Sequence, residues 1–178
     1  MSKFYNNNPN LKAAGIEISW TEEQATEYVK CMEDPVYFIK TYVKIVNLDL
    51  GLVKFDLYPF QEKMIHSFYE NRFTICKIGR QSGKSITCIA FFLHYCLFHK
   101  DVSVALLANK LATARELLGR LQMAYEHLPD WLQQGVVVWN KGNIELENGA
   151  KVMAAATSSS AIRGGSFNVL FLDEFAFV

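Results

Sequence analysis

The stretch "KIGRQSGKSIT" (residues 77–87) contains the residue types of a phosphate-binding loop. It includes Gly83-Lys84-Ser85, and the usual pattern G-x-x-x-x-G-K-[ST] would place its first glycine at position 78. That position is Ile78, and the glycine follows one place later as Gly79. The N–H groups of such a loop, together with the start of the following helix, attract phosphate. In this pattern Lys84 would contact the β- and γ-phosphates, and the hydroxyl of Ser85 would ligate Mg²⁺.

A second motif lies downstream in "VLFLDEF" (residues 169–175). Four apolar residues predict a buried strand, and the carboxylates of Asp173 and Glu174 follow it directly. As a Walker B motif beside the loop, Asp173 would hold Mg²⁺ through water and Glu174 would be the general base for an attacking water. Taken alone, the first motif could be a surface turn with a solvated Lys84, and the second could be a strand end with solvated carboxylates. Because both occur at predicted strand ends, we interpret them as one site.

Two further features could complete that site. Arg80 stands inside the loop, where its guanidinium could stabilise charge on the γ-phosphate, and the alternative is a salt bridge to the acidic end of the sheet. Upstream, "YPFQ" (residues 58–61) places aromatics and a glutamine before the predicted core. Gln61 can hydrogen-bond adenine, and Phe60 or Tyr58 can stack on its ring. A helix-surface glutamine over a core aromatic explains the same spacing.

Apolar strands that alternate with helices predict the α/β class, with a parallel central sheet covered by helices on both faces. Asn148-Gly149 predicts a type I′ hairpin turn. The expected strands are residues 73–78, 102–108, 135–139, 143–147, 150–156 and 169–172, and the expected helices of this region are residues 84–99 and 110–128.

The first part of the chain has a different composition. Residues 1–18 are polar and rich in asparagine, and they predict a loose arm. Residues 20–46 predict two short helices, residues 51–57 an edge strand, and Pro59 the start of a further helix. The expected domains are an N-terminal arm and helical subdomain (1–50) and the core (51–178).

Composition excludes several classes of protein. The 178 residues, 51% of them hydrophobic, allow one domain with a sizeable core. Eighteen Lys and Arg balance eighteen Asp and Glu, so no net charge attracts nucleic acid or membrane. The four cysteines lack metal-site spacing and are expected to be buried side chains in a reducing compartment. The apolar residues 86–98 are too few to span a bilayer. Lys110, Arg115 and Arg120 lie along the expected helix 110–128, and of the two explanations, DNA contact and a solvated helix face, the second is preferred.

Together these motifs resemble the large terminase subunit of tailed bacteriophages, most closely that of T4-like phages. The resemblance rests on "GRQSGKS", "VLFLDEFAF", the preceding "AIRGGSF" and the upstream "YPFQ", and it runs from about residue 33 to residue 178. It implies a P-loop NTPase of the additional-strand type that hydrolyses ATP with Mg²⁺. It also implies a homo-oligomeric ring on the portal protein, which works with the small terminase subunit and moves double-stranded DNA into the prohead. The expected location is the host cytoplasm, on the prohead and not in the virion, without membrane contact.

The resemblance also implies roles for single residues. Glu174, Arg80 and Lys84 would be catalytic, with Arg80 as a candidate cis arginine finger. Ser85 and Asp173 would hold Mg²⁺. Arg163 would sense nucleotide, reach a neighbouring subunit, or cap carbonyls beside Gly164-Gly165. Contacts to the nucleotide are expected from Phe60, Gln61, Gly79, Arg80, Gln81, Ser82, Gly83, Lys84, Ser85 and Asp173.

One feature departs from the family. The chain ends at Val178, whereas the family continues with a coupling motif and a nuclease domain. We therefore expect a sheet that is incomplete after the Walker B strand, no nuclease activity encoded here, and weak or absent hydrolysis by this chain alone. The alternatives are a superfamily 2 helicase-like ATPase and an inactive nucleotide-binding fragment that needs a second chain.

Overall fold

The computed structural model describes residues 3–47, 49–158 and 164–174, which form an α/β structure with one five-stranded and one two-stranded sheet. Within this described part, no helix is long and apolar enough to cross a bilayer. In chain order the elements are a short 3₁₀ turn (Tyr5–Asn7), α1 (Glu22–Glu33), α2 (Pro35–Tyr42), β1 (Lys44–Asn47), β2 (Gly51–Lys54), α3 (Pro59–Glu70), α4 (Lys84–Phe98), β3 (Ser103–Ala108), α5 (Leu111–Glu126), β4 (Val136–Trp139), β5 (Asn143–Leu146), β6 (Lys151–Ala156) and β7 (Val169–Leu172).

The main sheet has the strand order β4-β5-β6-β3-β7. β3 pairs in parallel with β6 on one side and with β7 on the other. β5 pairs antiparallel with β4 and β6, so the sheet is mixed, and the expected parallel pairing is confirmed for β6, β3 and β7. Short turns connect β4, β5 and β6, and a short turn can join only antiparallel neighbours. The parallel strands β3 and β7 end at the same edge of the sheet, which positions the site.

Helices cover one face of this sheet. Residues of α4 and α5 share a large apolar cluster with Val104 and Leu106 of β3. On the opposite face a small cluster of Ala105, Leu107 and Ala155 packs with Met153 and Phe167, and no described helix contributes to it. The expectation of helices on both faces is therefore wrong for the described residues. Apolar side chains on both faces of β3 indicated burial on both sides, but among the described residues Met153 and Phe167 pack on the second face in place of a helix.

The segment 73–78, which leads into the glycine loop, has no regular secondary structure and pairs with no described strand. Phe73 and Ile75 are 83% and 91% exposed, whereas Cys76 and Ile78 pack against the core. The expected strand is therefore wrong. A strand forms only where another strand lies beside it, and no described strand lies beside this segment. The packing of Ile78 still anchors the start of the loop.

The turn between β5 and β6 differs from the expected type I′. Such a turn requires a positive φ at both central residues, and of Asn148 and Gly149 only the glycine has one, at 82°. The N–H of Gly149 donates to the carbonyl of Leu146 (3.0 Å). The side-chain Nδ2 of Asn148 donates to the carbonyls of Cys96 (2.8 Å) and His99 (3.1 Å) at the end of α4. These bonds attach Asn148 to the end of α4, and Gly149 alone of the two residues is left-handed.

The N-terminal residues pack on the sheet and do not form the expected loose arm. Leu11 is buried. The carboxylate of Glu147 accepts hydrogen bonds from the N–H groups of Gly15 (2.9 Å) and Gly135 and pairs with the ammonium of Lys12 (3.1 Å). Burial alone would raise the pKa of Glu147, but these hydrogen bonds and the ion pair lower it. The polar composition of the segment gave no sign of these tertiary bonds.

The two short helices expected within residues 20–46 are confirmed as α1 and α2. Thr21 caps α1 by accepting the N–H of Gln24 (3.2 Å), and Asp34 caps α2 by accepting the N–H of Tyr37 (2.9 Å). β1 and β2 then form a hairpin of their own, apart from the main sheet. The expected edge strand is thus β2, in this separate hairpin.

α4 runs through the core, and His94 lies fully buried in its middle. Its Nε2 donates to the carbonyl of Cys31 (2.8 Å), while Nδ1 has no hydrogen-bond partner in the described part of the chain. The rings of Phe38 and Phe98 lie 5.5 and 4.8 Å from the imidazole, centroid to centroid. Burial therefore lowers the pKa of His94 to about 4, because a protonated ring would be a buried charge.

His94 is expected to make folding stability depend on pH. The unfolded chain protonates this group near its ordinary pKa of about 6.5, and the folded chain only near about 4. The stability contributed by the neutral ring of His94 is therefore fully present above the pKa of the unfolded chain and is lost as the pH falls toward the pKa of the folded chain. The free energy of unfolding should fall by about 2 kcal/mol between pH 7 and pH 5. Urea unfolding of the wild type and of His94→Gln at both pH values measures it. The free energy of unfolding of His94→Gln should fall by about 2 kcal/mol less than that of the wild type over this interval. An equal fall in both proteins would contradict the lowered pKa of His94.

Candidate functional site

Ser85 and Asp173, which belong to the two sequence motifs, are in contact. The Ser85 hydroxyl lies 3.1 Å from Oδ1 and 3.2 Å from Oδ2 of Asp173, and Asp173 is only 8% exposed. Ser85 stands in the first turn of α4. Asp173 directly follows β7, and its N–H donates to the carbonyl of Leu107 (2.9 Å), which extends the pairing of β7 with β3. The structure thus brings together the two motifs that the sequence assigned to one site.

The glycine loop has the backbone shape of an anion-binding concavity. Gln81 (φ 59°) and Gly83 (φ 75°) are left-handed, and Ser82 between them is not. The hydroxyl of Ser82 donates to the carbonyl of Gly79 (2.7 Å), which closes the loop. Such an alternation turns successive N–H groups toward one side. Gly83 is also the N-cap of α4, whose first turn has no acidic residue, so the positive end of the helix dipole adds to the concavity.

Two cations flank the loop. Lys84 is the first residue of α4 and is half-buried, and Arg80 is exposed. The ion pairs found among the described residues involve other cations. The salt bridge that was the alternative explanation for Arg80 is therefore absent from the described part. Both cations are available to an anion in the loop.

Gln61 and two aromatics lie on the other side of the loop. Gln61 is 2% exposed, and its Nε2 donates to the carbonyl of Ser82 (3.3 Å). Tyr58 and Phe60 are 65% and 39% exposed and stack on each other, with ring centroids 5.9 Å apart and planes at 9°. A flat, exposed ring pair next to the loop is suited to stacking on a planar base. The structure therefore places the "YPFQ" residues beside the loop.

Glu174 is exposed and lies at a left-handed φ of 53°. Together with Asp173 it lines a pocket of about 190 Å³, which Asn109, Lys110 and Thr113 also line. The sequence reading missed this side of the site and interpreted Lys110 as solvated only. A signal was present, because polar residues directly after β3 reach the same sheet edge as those after the parallel strand β7.

The other cations singled out in the sequence do not join this site. Arg163 lies outside the described residues, as do residues 175–178. Arg115 and Arg120 are exposed on α5, and Arg120 pairs with Glu116 (2.7 Å). Their placement agrees with a solvated helix face.

The donor set of the site suits a hard cation. In the described part of the chain no group of three or more His, Cys, Asp and Glu side chains converges on one point. Cys31, Cys88 and Cys96 are free and buried, as expected, whereas Cys76 is free and only half-buried. Ser85 and Asp173 offer hydroxyl and carboxylate oxygens side by side, and oxygens of this kind are the ligands that Mg²⁺ prefers. Further ligands would have to come from water or from phosphate.

Comparison with known proteins identifies the family. Residues 75–178 match the family model described as "Terminase large subunit, T4likevirus-type, N-terminal". The chain belongs to this family. The match includes the glycine loop and the Asp173-Glu174 pair of this terminase chain, and it begins after Phe60 and Gln61. The resemblance to T4-like large terminases is thereby confirmed.

A solved structure supports the fold of this terminase chain. The crystal structure of the HK97 bacteriophage large terminase is similar with a TM-score of 0.66 and 18% sequence identity. The similarity covers 79% of this chain and 30% of that chain. The terminase chain therefore shares its fold with a part of the HK97 protein and spans about 30% of its length.

Proposed function

We propose that this terminase chain binds Mg·ATP and hydrolyses it to drive the packaging of double-stranded DNA. The contact between Ser85 and Asp173 carries the proposal, because it joins an anion-binding loop to a buried carboxylate at one sheet edge. That combination fits a nucleotide triphosphate with its metal ion. The family match favours the terminase over the helicase-like alternative.

Each residue of the site has a role in binding. The loop residues Gly79 to Gly83 direct N–H groups toward the phosphates, and the ammonium of Lys84 contacts the β- and γ-phosphates. Ser85 and Asp173 would hold Mg²⁺ with their adjacent hydroxyl and carboxylate oxygens. When bound, the ion neutralises charge on the phosphate oxygens. Adenine lies against Phe60 near Gln61.

Hydrolysis requires a base and a countercharge. Glu174 accepts a proton from the attacking water, for which the adjoining pocket offers space. The guanidinium of Arg80 stabilises negative charge at the γ-phosphate. Arg80 in the loop and Glu174 at the end of β7 are both exposed, so neither side chain is held by packing and each can adopt the position that its role needs.

The partners follow from the family. We propose that the complete motor forms a ring on the portal protein, works with the small terminase subunit, and moves DNA into the prohead in the host cytoplasm. The portal protein, the small subunit and the DNA have no assigned surface on this chain.

Calorimetric titration of the 178-residue chain with ATP tests the site. We expect ATP to bind with Mg²⁺ and to bind at least about tenfold more weakly in EDTA, because the ion links Ser85 and Asp173 to the phosphates. ADP should compete, and AMP should not, because the loop contacts the outer phosphates. Absence of ATP binding, or equal competition by AMP, would overturn the proposal.

Ser85→Ala gives the sharper form of this test. It should lose most of the Mg²⁺ dependence of ATP affinity, because it removes one of the two oxygen donors. Ser67→Ala on α3 is the matched control and should behave as the wild type. Equal Mg²⁺ dependence in Ser85→Ala and in the control would exclude Ser85 as a metal ligand.

A further inference from the structure

Gln61 connects the start of α3 to the glycine loop. Its Oε1 accepts the N–H of Tyr58 (2.9 Å), and its Nε2 donates to the carbonyl of Ser82 (3.3 Å). The two partners fix the orientation of the amide, because an N–H group can only donate and a carbonyl can only accept. With only 2% of Gln61 exposed, both ends of a buried amide are bound to backbone.

The contact between Gln61 and the loop requires glycine at position 83. A Cβ built on Gly83 would lie 2.6 Å from Nε2 of Gln61, well inside van der Waals contact. The φ of 75° at Gly83 also favours glycine. Gln61 and Gly83 therefore fit each other as a pair, and a larger residue at position 83 would displace the amide from Ser82.

The hydrogen bond from Gln61 orients one peptide group of the loop. In a trans peptide the C=O and the N–H point to opposite sides of the same plane, and no described peptide bond is cis. Because Gln61 holds the carbonyl of Ser82, the N–H of Gly83 is turned away from α3. That N–H belongs to the concavity formed by Gln81, Ser82 and Gly83.

We propose that Gln61 is a positioning residue of the phosphate-binding loop, which fixes the Ser82–Gly83 peptide so that its N–H faces the phosphates. Since α3 also carries the stacked rings of Tyr58 and Phe60, Gln61 links the base-binding side of the site to the phosphate-binding side. The inference rests on the proposed function and extends it. A residue that reads only adenine would not affect the binding of a polyphosphate without a base, whereas a positioning residue would.

Binding of Mg·tripolyphosphate and Mg·ATP to variants at position 61 separates these two roles. Gln61→Glu keeps an acceptor for the N–H of Tyr58 but places an oxygen against the carbonyl of Ser82. We expect its affinity for both ligands to fall by the same factor, about tenfold, because the lost bond belongs to the loop and not to the base. Gln61→Met has a side chain of similar length without hydrogen-bonding groups. Its affinity for both ligands should also fall by the same factor.

Gln122→Glu is the matched control, because Gln122 also donates its Nε2 to a backbone carbonyl, that of Asn140 (3.0 Å), on α5 away from the loop. It should bind both ligands as the wild type does. If Gln61→Glu binds tripolyphosphate normally and ATP weakly, Gln61 reads only the base and the proposal is overturned. Unchanged affinity for both ligands would overturn it as well.

Amide hydrogen exchange tests the same contact in the protein without ligand. Peptides that cover residues 79–86 should exchange faster in both Gln61 variants than in the wild type, while peptides from α5 report that the protein remains folded. Unchanged exchange in residues 79–86 would overturn the positioning role. If the wild type binds neither ligand, the proposed function fails, and the exchange result still decides whether Gln61 holds the loop.

Discussion

Glu174→Gln is expected to lower the rate of ATP hydrolysis by about 10²- to 10⁴-fold and to leave the affinity for Mg·ATP within about threefold of the wild type. The amide has the size of the carboxylate and can still hydrogen-bond a water, but it cannot accept its proton. The neighbouring Asp173 cannot substitute, because it is buried and bonded to Ser85. Glu174 is exposed and lines the pocket beside it. The two adjacent carboxylates thus have different environments and different proposed roles.

Phosphate release under single-turnover conditions, with protein in excess over ATP, measures the effect even where the wild-type rate is slow. Calorimetric titration with Mg·ATP gives the affinity of the same samples. Glu116→Gln is the matched control, since Glu116 is an exposed acid that pairs with Arg120 on α5, away from the site. Normal hydrolysis by Glu174→Gln would show that another group is the base. A parallel loss of affinity would instead make Glu174 a binding residue.

The elements that the sequence predicted well carry their signals locally. α4 was expected to begin at Lys84 and to contain the apolar run of residues 86–98, and α5 was expected from its amphipathic period. Both are confirmed, as are the strands β3 and β7. Caps such as Thr21 and Asp34 also lie within a few residues of the helices that they begin. Local patterns identified these elements because the energies that favour them come from neighbours in sequence.

The elements that were missed depend on partners distant in sequence. Whether the segment 73–78 becomes a strand depends on whether another strand lies beside it, and this cannot be predicted from the composition of the segment. The N-terminal segment is held by Glu147, more than a hundred residues later. The conformation of the β5–β6 turn depends on the hydrogen bond from Asn148 to the end of α4. In each case contacts with distant parts of the chain, or their absence, override the local preference.

The candidate site shows the same division. The sequence predicted that Ser85 and Asp173 share one site, and they are in contact, although the strand expected before the glycine loop is not formed. It could not show that Gln61 bonds to the backbone of Ser82, since that contact depends on how α3 packs beside the loop. Nor could it show the left-handed φ of Gln81, a residue type without special preference for that conformation. The two motifs predicted which residues share the site, whereas the geometry within the site could not be predicted from them.

Lys84→Ala is expected to weaken the binding of Mg·ATP by about 10- to 100-fold, which corresponds to the loss of a charge-assisted hydrogen bond to phosphate. The effect on hydrolysis should be larger, about 10²- to 10³-fold below the wild type at saturating ATP, because charge on the γ-phosphate oxygens changes in the transition state. Lys84 is half-buried at the first turn of α4 and has no ion pair with a described carboxylate. Its removal therefore breaks no internal salt bridge, and the fold should be retained.

Lys77→Ala is the matched control, because Lys77 is an exposed lysine seven positions earlier, just before the loop. Both variants lose one positive charge near the site, so a difference between them reflects contact with the phosphates and not the local field. Competition by ADP and by AMP locates that contact: Lys84→Ala should prefer ADP over AMP less strongly than Lys77→Ala does, since the ammonium contacts only the outer phosphates. Equal ATP affinity in the two variants would place Lys84 outside the nucleotide site. An equal preference for ADP in the two variants would assign the outer phosphates to the backbone of the loop and to Arg80.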